Sequence, residues 1–91
     1  MKRLEIVAGE SLQADIVEAV ETAFPGIEYT LVLSAQGKGR SSRREGTNVW
    51  PEMNFVLFSY LDEAEAELVR EAVESVRRRF PTEGVAVFVM G

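Results

Sequence analysis

A chain of 91 residues, 46% hydrophobic and 27% charged, has the make-up of one soluble globular domain spanning 1–91, with no run of about 20 apolar residues to span a membrane. Cysteine and histidine are both absent, which excludes disulfides, thiolate metal sites and imidazole as base or ligand. The net charge of −5 weighs against nucleic acid as a partner, because binding there is led by phosphate neutralisation. The opening MKRLEIVAGE breaks its short apolar run at Glu5, unlike a signal peptide, so a cytoplasmic location is expected.

Residues 3–8 alternate, with Leu4, Ile6 and Ala8 on one side and Arg3, Glu5 and Val7 on the other, the period of a strand with one buried face. Gly9–Glu10–Ser11 turns the chain, with Ser11 as the expected helix N-cap. From there Leu12, Ile16, Ala19, Val20, Ala23 and Phe24 recur at helical spacing until Pro25–Gly26, while Asp15, Glu18 and Glu21 fall on the wet side. Ile27 to Ser34 is β-branched and aromatic, a second strand. After a long loop, Met53 to Leu61 forms a third strand that is nearly all apolar. Asp62, with Glu65 three residues on, is the capping box of a second helix whose expected buried stripe is Leu68, Val69, Ala72, Val73, Val76 and Phe80. Pro81 ends it, and Val85 to Met90 is the last strand. Arg77, Arg78 and Arg79 fall in the helix's last turn, where cations complement the dipole, so they read as structural.

The order βαββαβ predicts an α+β fold of the ferredoxin-like kind, a four-stranded antiparallel sheet with two helices on one face and a long loop between strands two and three. That arrangement leaves one sheet face open, and here it does not read as wet. Val56, Phe58 and Tyr60 on strand three and Ala86, Phe88 and Met90 on strand four are as apolar as their opposite faces. An exposed patch of several hundred Å2 marks an interaction surface. With no tail after Gly91 expected to cover it, self-association in cyclic symmetry is the expectation.

The loop, residues 35–51, carries Lys38, Arg40, Arg43 and Arg44 against Glu45, a charge of +3 that leaves −8 for the rest of the chain. Loops of this length are uncommon in compact domains and usually functional or disordered. Gly37–Lys38–Gly39–Arg40 lacks the spacing of a Walker A motif, but two glycines with two cations suit an anion-binding nest of backbone amides. A loop whose Arg43, Arg44, Glu45 and Gly46 dock an acidic partner is the alternative. Trp50, held extended by Pro51, is placed to stack on a ligand ring or to pack at the loop's base, and Glu52 and Asn54 flank the same mouth. Strand three lacks the basic–Gly–aromatic opening of an RNA-recognition strand, and strand one offers it no partner aromatic. With no paired-carboxylate motif either, the chain is not expected to be an enzyme. No metal site is expected, and the sequence names no cofactor.

The βαββαβ order, the self-burying sheet and the basic loop between strands two and three resemble the PII signal-transduction proteins and their PII-like relatives. The sharpest local match is Gly37–Lys38–Gly39–Arg40, which is similar to the Gly–x–Gly–Arg at the base of that family's T-loop, and Pro51 fits the entry into strand three. The resemblance implies a homotrimeric nitrogen-regulatory type of signalling protein, with a small anionic effector in clefts between subunits and a T-loop read by a protein target. It implies that Gly37, Gly39 and the amides after Arg40 face a phosphate or carboxylate. Glu52 stands where PII proteins place a lysine for 2-oxoglutarate, the phosphate loop after helix two is reduced to Phe80–Pro81–Thr82–Glu83–Gly84, and the C-terminal arginine segment has no counterpart before Gly91. These departures match the short PII-like branch, whose effectors include adenine nucleotides and bicarbonate. The other reading kept open is a module that senses nothing and docks an acidic partner through its basic loop.

Overall fold

The computed structural model describes residues 1–36 and 53–91. Strand β1 (Lys2–Gly9) leads through a 3-10 turn (Glu10–Leu12) into helix α1 (Gln13–Ala23), then β2 (Thr30–Gln36), β3 (Met53–Leu61), helix α2 (Glu63–Arg79) and β4 (Val85–Met90). The sheet order is β2-β3-β1-β4, every pairing antiparallel, with both helices on one face: the ferredoxin-like arrangement expected from the sequence.

Alternation along the strands supplies the core. Leu4, Ile6 and Ala8 of β1, Phe55, Leu57 and Leu61 of β3 and Val85 of β4 point to the helix side, where Leu12, Ile16 and Val20 meet them from the first helical segment. Ala66, Val69, Val73 and Val76 supply the stripe of α2. Each large side chain buried in this way contributes about 1.5–3 kcal/mol. Ser59 lies in the same row, 2% exposed, and its hydroxyl donates to the Glu28 carbonyl, which satisfies the buried polar group.

Four expectations need correction. Ser11 does not cap α1. It lies inside the 3-10 turn, and the Gln13 N–H donates to the Glu10 carbonyl, so the backbone takes the place of a side-chain cap and Leu12 stands at the N-cap position. β2 begins at Thr30 rather than Ile27 and runs on to Gln36, so Ala35 and Gln36 are strand, paired with Asn54 and Met53, and not loop. A bulge between Val32 and Ala35 absorbs the irregularity, with Ser34 in the left-handed region at φ 57°. Leu68 is 56% exposed, because its direction on α2 lies beside the Ala66–Val69–Val73–Val76 stripe rather than on it. Ala72 and Phe80 are half-buried.

Candidate functional site

The root of the long loop is built from three elements. Asn54 pairs with Gly9 of β1 on one side and with Ala35 of β2 on the other, which places it, half-buried, where the sheet gives way to the loop. The Ser34 N–H donates to Glu10 Oε2 at 2.9 Å, tying the bulge of β2 to the turn after β1. A backbone donor freed by a bulge is thus met by a carboxylate, and the loop leaves the sheet from an anchored strand. Sequence reasoning did not single out Glu10 or Ser34. The available signal was the Ser34–Ala35 pair, small residues following the apolar run of Leu31, Val32 and Leu33. Of the residues read as ligand-binding, the structure places Asn54. Gly37, Lys38, Gly39, Arg40, Trp50 and Glu52, and the partner-binding set Arg43, Arg44, Glu45 and Gly46, lie outside the described residues.

An open groove of about 800 Å3 runs between α1 and the β2 edge, with Val17 and Leu31 among its walls and Glu10, Glu18 and Glu21 along it. The Tyr29 hydroxyl donates to Glu21 Oε2 at 2.8 Å there, and this bond, aided by burial and by the charge of Glu21, raises the phenol's pKa above its usual value. Among the described lining residues three are carboxylates, whose charge disfavours an anion in this groove.

The open sheet face is largely apolar, with Arg3, Glu5 and Thr30 among its residues. The register sets Val32, Val56, Val7 and Ala86 in one row across the four strands and Thr30, Phe58, Glu5 and Phe88 in the next. Tyr60, Phe88 and Met90 are 57%, 50% and 43% exposed. Among the described residues no cluster of acids has metal-site geometry, and no helix is long and apolar enough to cross a membrane.

No family model matches the sequence, and no curated protein matches it. Among solved structures, one from Thermus thermophilus described as a PII-like signaling protein superposes with a TM-score of 0.66 at 28% identity, covering 97% of this chain and 82% of that one. The nitrogen regulatory PII-like protein CPII of Thiomonas intermedia, bound to ADP, AMP and bicarbonate, gives a TM-score of 0.67 at 23% identity over 97% of this chain and 84% of its own. The chain has the PII-like fold. A de novo designed protein, Foldit4, reaches a TM-score of 0.62 at 16% identity over 99% of this chain and 96% of its own, so topology alone does not set this chain's function.

Proposed function

We propose that this chain is a PII-like, non-catalytic regulatory protein of the cytoplasm, one domain over 1–91, that assembles as a homotrimer. It binds a small anionic effector, an adenine nucleotide in the first instance, in clefts between copies, and signals to a protein target through the loop that joins β2 to β3. The observation that carries the reading is where the basic segment sits. Four cations and three glycines fall between Gln36 and Met53, at one end of a sheet that superposes on proteins solved with ADP, AMP and bicarbonate. Lys38 and Arg40 would neutralise the anion, Gly37 and Gly39 would let backbone amides approach it, and Trp50, Glu52 and Asn54 would line the mouth. The apolar sheet face supports assembly, and the acid-lined groove beside α1 leaves the loop root as the better place for an anion.

A thermal-shift panel of ADP, AMP, ATP, cyclic nucleotides, bicarbonate and 2-oxoglutarate tests the effector. Ligand at about a hundred times Kd stabilises by about 2.7 kcal/mol, a rise in Tm of several degrees, and Arg40→Ala is expected to abolish it. Emission from Trp50, the only tryptophan, is expected to shift with the same ligand. The +3 charge of the loop on an otherwise −8 body favours one other reading, a docking module. Silence across the panel, with Arg40→Ala still abolishing capture of an acidic partner, would establish that reading instead.

A further inference from the structure

β1 is an interior strand, flanked by β3 and β4, and its outer side carries Arg3, Glu5 and Val7 in the middle of the open face. Val56, Phe58 and Tyr60 stand on one side of them and Ala86, Phe88 and Met90 on the other. One cation and one anion therefore sit inside an otherwise apolar field. Their geometry is fixed from within the chain. Arg3 Nε and Nη2 donate to the same oxygen, Glu5 Oε1, at 3.2 and 3.1 Å, and Nη1 donates to the Tyr60 hydroxyl. The guanidinium carbon lies 4.4 Å from the Phe58 ring centroid and 5.5 Å from that of Tyr60, and the two rings meet edge to face. A planar cation stacked on two rings and forked onto a carboxylate is held in one orientation.

Its hydrogen bonding is nevertheless incomplete. A guanidinium has five N–H donors, and these contacts use three of them. Glu5 Oε2 accepts nothing among the described residues. In the separate chain water reaches both groups, since the two side chains are 35% and 29% exposed. Anything that covers the surrounding apolar surface removes that water, and unmet charged groups then cost heavily. The covering surface must bring both an acceptor and donors. A purely apolar partner leaves the spare N–H groups and the spare carboxylate oxygen of this pair unmet, and a partner bringing only acceptors or only donors leaves one of the two unmet. A second copy of this chain brings one spare carboxylate oxygen and two spare N–H groups.

The geometry points to Arg3 and Glu5, given the self-association proposed above, as a polar lock between copies: the spare guanidinium N–H groups of one copy meet the spare carboxylate oxygen of the next. Apolar burial supplies attraction without direction, and the lock selects the register and the partner.

Sedimentation velocity on Arg3→Glu and Glu5→Arg, with circular dichroism as a check on folding, tests it. Each variant carries like charges at the lock and is expected to associate at least about 30-fold more weakly than the wild type. Mixing the two is expected to return assembly above either alone, which an ion pair confined to one chain cannot do. The uncharged double variant Arg3→Gln/Glu5→Gln, whose fold is not burdened by repulsion, is expected to associate about tenfold more weakly. If the wild type assembles and all these variants assemble equally well, or if mixing recovers nothing, the lock is wrong and self-association stands. If the wild type is monomeric at high concentration, the assembly itself is wrong and the lock falls with it.

Discussion

At Tyr29 a single hydrogen bond sets a titration. Because the Glu21 carboxylate accepts from the phenol, ionising the phenol would place two anions together, and its pKa rises above 10.0. A raised folded-state pKa contributes stability that is present in full below pH 10 and is lost as pH climbs through the shifted value. In an ultraviolet difference titration, Glu21→Gln is expected to bring Tyr29 back toward its ordinary range; an unchanged curve would show that the bond does not form in solution. Ser34 makes a second test of local geometry. Its φ of 57° is one that side chains branched at Cβ adopt only under strain. Ser34→Val is expected to cost about 1–2 kcal/mol by urea unfolding, whereas Ser34→Gly holds or improves on the wild type, since the N–H bonded to Glu10 is kept.

Among the elements, α2 shows why some of this fold was legible from sequence. Its N-terminus is a reciprocal cap: the Glu65 N–H donates to Asp62 Oδ1 at 2.8 Å and the Asp62 N–H donates to Glu65 Oε1 at 3.0 Å. Acids load its first turn and Arg77, Arg78 and Arg79 its last, both in accord with the dipole. Asp62→Ala is expected to lower stability by about 1 kcal/mol, read as a shift in the urea midpoint at constant slope. Signals like these are local, written within a few residues, and so the capping box, Met53–Leu61 and Val85–Met90 could all be placed in advance. Part of what escaped depended on contacts distant in sequence. The bulge in β2 is defined against β3, which lies beyond the loop, and its N–H is met by Glu10 from a third element. Ser11 had the right chemistry for a cap, but a backbone bond from Gln13 had already closed the turn. Leu68 shows that an apolar identity does not place a side chain in the core when its direction on the helix misses the stripe. The candidate site is an expectation from charge and glycine placement, and of its residues the structure describes Asn54, at the loop root between Gly9 and Ala35.

For the whole molecule, the open sheet face makes assembly and effector binding testable as one equilibrium. Phe88, half exposed on the edge strand β4, sits directly opposite Glu5. Phe88→Lys therefore removes apolar surface from the field while giving the separate chain a favourable cross-strand charge pair, so its fold is expected to survive. An assembly held by that face is expected to lose this variant to monomer at concentrations where the wild type remains associated. Sites built between copies are then lost with the interface, and ADP that raises the Tm of the wild type is expected to leave Phe88→Lys unmoved. Retained ADP stabilisation in a monomeric Phe88→Lys would place the whole effector site within one chain and overturn the inter-subunit cleft. A variant that stays assembled would instead move the interface off this face, leaving the exposed Tyr60, Phe88 and Met90 to a different partner.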